Sequence, residues 1–303
     1  MTSNAKNLRE TGKTHRGTSI TRSVVGDSLI GPDCPVCSGK RRELFQARLL
    51  NKYDVRYFHC EMCGLLQTEQ PYWLDEAYSN VIADTDTGIV SRNLEIARKL
   101  AGLLYFCLDP KALYLESAGG YGLLTRLMRD RGFDFRWHDP YCENIFARGF
   151  EWDPVNATAV GGAVTAFEVI EHVLDPAAFI RNALMQAKTR TIILSTLLYE
   201  GEPPHPDKWW YYSLETGQHI SFFRRDTLKT LAAGLGLRFY THGSFHVFTE
   251  SALNASLFRF YTSRFAWLVA RYVQFRMKSK TFDDHQEMMS HPYSAPGRRG
   301  KTS

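Results

Sequence analysis

Hydrophobic positions along this chain change their period in a regular way. Within residues 76–108, Ile89, Leu94, Ile96, Ala97, Leu100, Leu103 and Leu104 recur close to every 3.6 positions, which predicts a helix. Beyond it, short apolar runs predict strands over 112–116, 133–138, 164–170 and 191–197. Amphipathic stretches between and after them predict helices over 123–130, 176–188 and 226–235, and strand-like segments run on through Phe248. Strands alternating with helices of this length imply an α/β fold, a mostly parallel sheet with helices on both faces.

Residues 252–277 read as one more helix, aromatic and dotted with Arg259, Arg264, Arg271 and Arg276. At about 100° per residue those arginines scatter around the axis instead of forming a stripe. That favours a packed helix or a dimer contact over attachment to a membrane surface. The two ends, 1–26 and 280–303, are polar and charged, and disorder is expected in both.

One stretch concentrates chemistry. Phe167-Glu168-Val169-Ile170-Glu171-His172-Val173-Leu174-Asp175-Pro176 reads as a buried strand that ends in acidic and imidazole groups. Asp175 and Pro176 then supply an N-cap and a first-turn proline for the next helix. Open parallel sheets bind ligands at the carboxyl ends of their strands, where this cluster falls.

Length and composition narrow the class. The 303 residues allow one large or two modest domains, and 44% hydrophobic with 23% charged residues is ordinary for a globular protein. The chain has no apolar run long enough to span a bilayer, and residues 1–22 lack the apolar centre of a secretory signal. A leader in a cytoplasmic protein is the expectation. The net charge of +5 lies largely in the two ends, as expected of solvated tails.

Four of the six cysteines form two pairs, Cys34-Pro-Val-Cys37 and Cys60-Glu-Met-Cys63, with 22 residues between them. Two such knuckles can bring four thiolates into a tetrahedron around zinc, and four sulfur ligands leave no open position, so the metal is expected to be structural. Gly39 and Gly64 stand where knuckle turns need unusual dihedrals. Cys107 and Cys142 are expected to be ordinary, partly buried cysteines. The module covers 27–75, and it lacks the interleaved basic and aromatic residues of a nucleic-acid surface, so a nucleic-acid partner is disfavoured.

A second constellation is Glu116-Ser-Ala118-Gly119-Gly120-Tyr121-Gly122, a strand, a tight glycine turn and a helix start. Such a turn lets backbone approach a ligand and points free N–H groups at it. The spacing differs from a dinucleotide fingerprint. Asp139, twenty residues after Gly119, closes the second strand, where a carboxylate can accept from ribose hydroxyls.

The glycine turn, the acidic strand end and the Phe167–Pro176 motif, in this order, resemble class I S-adenosylmethionine-dependent methyltransferases, and the last motif is similar to their type 23 or UbiG-like family. The resemblance covers residues 78–248. The cysteine module in front resembles the zinc-binding region of sugar C-methyltransferases, which often carry a further C-terminal domain that the residues after Phe248 are too few to form. The resemblance implies that Ala118, Gly119, Gly120, Tyr121 and Gly122 form the cofactor turn, with Gly120 and Gly122 lining the methionine moiety. It places Glu116 near the amino group, Asp139 on the ribose, and Phe167 and Glu168 beside the adenosine and sulfonium. Ala118 departs from the family, which has glycine there; a methyl group is accommodated if that residue keeps a negative φ.

The fifth strand leads into an aromatic loop containing His205, Trp209, Trp210, Tyr211 and Tyr212, followed by Gln218-His219, which is expected to shape an apolar acceptor pocket. His219 is the first choice for a general base, with Glu171 and His172 closer to the cofactor and Tyr78 as a covering residue. The expected function is methylation of a small molecule, a sugar or nucleotide-sugar intermediate. The alternatives are a lipid-linked or aromatic acceptor, and a non-catalytic zinc-ribbon binding protein on a vestigial methyltransferase fold. Membrane contact through the C-terminal helix is not favoured, and oligomeric state is left open.

Overall fold

Two sheets share one body. The structure, a computed structural model, describes residues 33–79, 86–153 and 159–290; the expected leader lies outside these residues. The N-terminal module is built from β1 (Arg41–Leu49), β2 (Tyr53–Cys60) and β3 (Leu66–Thr68), paired antiparallel. After it come α1 (Leu74–Ala77) and α2 (Ile89–Cys107), so the helical pattern predicted over 76–108 divides in two.

The larger sheet alternates as the apolar periods require: β4 (Leu113–Ser117), α3 (Leu123–Asp130), β5 (Asp134–His138), β6 (Val164–Ala166), α4 (Pro176–Ala187) and β7 (Thr191–Ser195). The chain continues through β8 (Ser221–Phe222), α5 (Arg225–Gly234), β9 (Arg238–His242) and β10 (Phe245–Thr249). Strand order is β5-β4-β6-β7-β10-β9, parallel from β5 to β7 and antiparallel beyond. The order reverses at β4, which opens a crevice outside the carboxyl ends of β4 and β6.

Both faces are covered. In β7, Ile192 and Leu194 face α4 and α5, whereas Ile193 faces α2 and α3, because successive side chains of a strand alternate. The first of these cores also contains Cys34, Cys60, Cys63 and Leu65. The cysteine module is therefore continuous with the larger body. β8 completes this continuity by pairing with β3 through Leu66–Phe222 and Gln67–Ser221.

Three expectations are corrected. The strand expected over 164–170 ends at Ala166, because ladder pairing with β4 and β7 stops there; Ile170–His172 forms a 3₁₀ turn instead. The single helix expected over 252–277 is two, α6 (Ala255–Tyr261) and α7 (Ala266–Arg276). The break falls where Thr262 and Ser263 return hydroxyl hydrogen bonds to the Phe258 and Phe260 carbonyls. Disorder expected from residue 280 gives way to α8 (Thr281–Ser290), because Asp284 is buried between Arg126 and Arg129. Residues 291–303 of that expected tail lie outside the described residues.

Candidate functional site

The four cysteines come together as the spacing requires. Their sulfurs lie within 4.8 Å of one another, with Cys34–Cys63 at 3.6 Å and Cys37–Cys60 at 3.4 Å. These separations are far too long for disulfides and suit four ligands on one tetrahedral ion. The Val36 N–H donates to the Cys34 sulfur, the kind of outer contact that steadies a metal thiolate. Burial pushes the Cys37 thiol up to about 11, and the close Cys34–Cys63 contact raises Cys63 while lowering Cys34 to about 5, so without a cation the four thiols do not ionise together. Gly64 has the expected positive φ of 77°, but at the first knuckle the left-handed residue is Ser38, at 59°. Gly39 serves a close approach instead: a Cβ there would stand 2.5 Å from the Met62 sulfur. Cys107 and Cys142 are half-buried and apart from the cluster.

At the carboxyl end of β4 the glycine turn is held by two hydrogen bonds. Gly120 N–H donates to the Asp139 carboxylate (2.9 Å), and Trp137 Nε1 donates to the Gly120 carbonyl (2.9 Å). Gly119 must lack a side chain, since a Cβ would press to 2.7 Å against the Trp137 ring. Gly120 has φ 52°, and a Cβ built there meets nothing within 4 Å, so its outer side opens on the cavity. Asp139 also accepts from the Tyr141 and Cys142 N–H groups, so it anchors the turn it was expected to complement. Glu116 is buried, takes hydrogen bonds from the Thr125 amide and hydroxyl, and is pushed up to about 7 by desolvation.

Ala118 adopts φ 54°, not the negative φ that was the condition for accommodating its methyl group. A non-glycine residue in this region costs on the order of 1 kcal/mol, and strain of this kind is common where backbone is shaped around a ligand. Glu168 shares this conformation at φ 56°. It is locked by reciprocal hydrogen bonds with Ser195, whose Oγ accepts from the Glu168 amide (2.8 Å) and donates to its carboxylate (2.6 Å).

Across the same cavity stand the imidazoles. His219 Nδ1–H donates to the Tyr211 carbonyl (2.7 Å), which leaves the Nε2 lone pair available. His172 Nδ1–H points at the Gln218 carbonyl (3.0 Å) and the Tyr78 hydroxyl (2.8 Å). The two rings meet edge to face, 4.8 Å between centroids. Burial pushes His172 down to about 4; burial and its neighbour His172 push His219 down to about 3. Glu171 is fully buried behind them, accepts from the Tyr211 hydroxyl (2.6 Å), and is pushed up to about 8 by desolvation and by Glu168. The site thus holds two neutral imidazoles and a protonated carboxyl at neutral pH.

Apart from Trp137, Thr125, Gly122 and Glu171, these parts of the glycine turn and the imidazole group line a single cavity of about 1660 Å³. Gly122, at φ 82°, turns instead toward Asn144 and Ala147. Of the aromatic loop, only Trp210 and Tyr211 reach the cavity; Trp209 and Tyr212 pack with Tyr57 and Phe222 in the core beneath, and His205 stays on the surface with Asp207. Arg41 and Gln67 of the cysteine module and Asn93 of α2 also line it, and the sequence did not single them out. The place of Gln67, and of Arg41 bonded to it, depends on the β3–β8 pairing, which leaves no local signal. Tyr211 was visible only as one aromatic among several, yet it fixes both Glu171 and His219.

A pH dependence follows. His172, His219 and His246 (also pushed down to about 4 by burial) have depressed folded values, so the stability they contribute is present above about 6.5 and lost as pH falls. Glu171 is raised, so its contribution runs the other way, lost as pH rises through about 8. Glu116, also raised, acts in the same direction as Glu171; three imidazoles still outweigh two carboxyls, and unfolding free energy should drop by roughly 1 kcal/mol per pH unit around pH 5.5. Urea titrations check this: the slope should be lost or change sign in the double variant His172→Asn, His219→Asn. A wild-type stability constant between pH 6.5 and 5 would contradict it.

Residues 91–242, half of the chain, match the family model described as a methyltransferase domain. Among curated proteins none matches. Similar solved structures include TnmH, at 17% identity over 60% of this chain and 62% of that one, with a TM-score of 0.43. An O-methyltransferase family protein from Burkholderia thailandensis is 12% identical over 59% and 63% of the two chains, with a TM-score of 0.44. An O-methyltransferase family 2 protein from Planctomyces limnophilus, solved with apigenin, is 15% identical over 59% and 65%, with a TM-score of 0.40. The chain thus spans less than two thirds of each of these proteins. On the family match and on the sheet and glycine turn that carry it, the chain belongs to the methyltransferase-domain family, type 23.

Proposed function

We propose that the chain is an S-adenosylmethionine-dependent methyltransferase of a hydroxylated small molecule, a sugar or nucleotide-sugar intermediate. The observation that carries this reading is that the glycine turn and two neutral imidazoles open into one cavity. Its volume exceeds the roughly 300–1,000 Å³ of a single small-molecule site, which suits a donor and an acceptor side by side. When bound, S-adenosylmethionine supplies an electrophilic methyl group on a sulfonium centre.

The chain's own residues divide the remaining work. Gly120 leaves room for the donor, Glu116 and Asp139 offer carboxylate oxygens to its amino and ribose groups, and Phe167 and Glu168 flank it from β6. His219 takes the acceptor's hydroxyl proton at Nε2. Its low basicity is no obstacle, because an attacking hydroxyl becomes strongly acidic as its bond to carbon forms. His172 and Glu171 act as positioning residues, Glu171 through Tyr211. On the acceptor side Asn93, Ser213, Thr216 and Gln218 suit hydroxyls, and Arg41 suits a phosphate group. Exposed Trp210 and Phe146 at the same cavity favour an aromatic acceptor as the second reading.

Transfer from methyl-labelled S-adenosylmethionine to a panel of nucleoside-diphosphate sugars and phenolic compounds tests the reading. Label is expected in the sugars, and label confined to phenols would transfer the assignment to the second reading. In His219→Asn, turnover should fall by about 10² or more with donor affinity kept; unchanged turnover would remove His219 from the mechanism.

The same reading assigns structural zinc to Cys34, Cys37, Cys60 and Cys63. Metal analysis should find about one zinc per chain, and Cys60→Ser should lose it and unfold at lower urea. A fully folded, metal-free protein would refute the assignment.

A further inference from the structure

The C-terminal helices carry a surface that the methyltransferase reading does not use. Residues 252–280 contain six basic side chains, Arg259, Arg264, Arg271, Arg276, Lys278 and Lys280, and no acidic one. α7 packs on α2 through Ala266, Val269, Ala270 and Val273. The approach is close: a Cβ on Gly102 of α2 would stand 2.8 Å from Val269. This is the packed face that the sequence pattern implied.

The opposite face of α7 is also apolar, and none of the described residues covers it. Trp267, Leu268, Tyr272 and Phe275 fall with Arg271 within an arc of about 140° at 100° per residue. Phe275 is 88% exposed and Trp267 55%. Leu257 and Phe260 of α6, Phe265 between the helices, and Phe106 at the end of α2 extend the patch. Their rings associate along it: Phe260 stacks on Phe265, and Phe106 on Tyr272. Arg264 lies 5.0 Å over the Phe265 ring. Lys278 pairs with Asp283, but Arg259, Arg264, Arg271 and Arg276 show no ion pair among the described residues. Aromatic and aliphatic surface at this density is a binding surface or an aggregation liability.

We propose that this face docks in the plane of an anionic bilayer. Large rings beside unpaired arginines match the boundary between anionic headgroups and acyl chains. A symmetric contact with a second copy would set the same unpaired arginines against each other. Among the described residues no helix is long and apolar enough to cross a membrane, so α6 and α7 lie along the surface. α2 joins the patch to the cavity: its first turns, at Ile89, Val90, Arg92 and Asn93, line the cavity, and its last turn carries Phe106.

Flotation of the full chain with vesicles tests the proposal. Vesicles of phosphatidylcholine and phosphatidylglycerol in equal parts should bind it at least about tenfold more tightly than phosphatidylcholine alone. Trp267→Ser with Phe275→Ser should weaken that binding by about tenfold or more, and so should Arg271→Glu with Arg276→Glu. Both pairs are exposed, so S-adenosylmethionine affinity should be unchanged in each, which separates this test from the fate of the catalytic reading. Equal binding to both vesicle types, or binding unaffected by either pair, would overturn the proposal. So would a dimer in sedimentation velocity that the Trp267/Phe275 pair dissolves without any vesicle binding.

Discussion

The side-chain amide of Gln67 is the point on which the site depends. It is buried, and each of its polar atoms is used: Nε2 donates to the Leu174 carbonyl (2.8 Å) and to the Ser221 hydroxyl (2.9 Å), while Oε1 accepts from Arg41 (2.9 Å). Ser221 in turn donates to the Val173 carbonyl (2.6 Å). Four segments distant in sequence are thereby fixed together: the start of the cysteine module, its third strand, the Phe167–Pro176 motif and the strand after His219. A buried network whose central amide and hydroxyl are fully bonded holds one arrangement, whereas leaving them half-bonded would be costly. The module is therefore a wall of the cavity, and the cysteine cluster behind it secures that wall: Thr227 donates to the Cys63 carbonyl, and Tyr199 to that of Gly64.

This construction accounts for the electrostatics. Enclosing His172, His219 and Glu171 behind the module removes them from water, so each is driven to its neutral form. A neutral imidazole whose Nδ1–H is committed to a carbonyl keeps its other nitrogen as an acceptor. Such a site can receive a proton beside a cationic donor without placing a second permanent charge there. Glu168 and Asp86 bring negative charge to the cavity, and Arg92 lies between them, 3.6 Å from Glu168 and 2.7 Å from Asp86.

Much of this was legible in the sequence, and the limits have physical causes. Asp175 does cap α4, accepting from the Ala178 amide, and α3 spans Leu123–Asp130 as its amphipathic pattern requires, because cap chemistry and helical period are local signals. The cysteine cluster followed from spacing alone. The end of β6 did not: an apolar run does not say where its neighbours stop pairing. Nor did the conformation of Ala118, where the turn imposes a left-handed backbone on a residue that resists it. Arg41 and Gln67 were invisible as cavity residues because a pairing between β3 and β8, far apart in the chain, puts them there. In the C-terminal helices the pattern showed apolar residues all round but not which side α2 would cover.

The central claim is that the open side of the glycine turn receives S-adenosylmethionine. Isothermal titration of the folded, zinc-loaded chain tests it most directly. The account predicts one site per chain with a Kd in roughly the micromolar range, lost in Gly120→Val, whose side chain would enter the space now free, while circular dichroism shows the variant still folded. No saturable heat from the wild-type chain, or equal affinity in Gly120→Val, would contradict it.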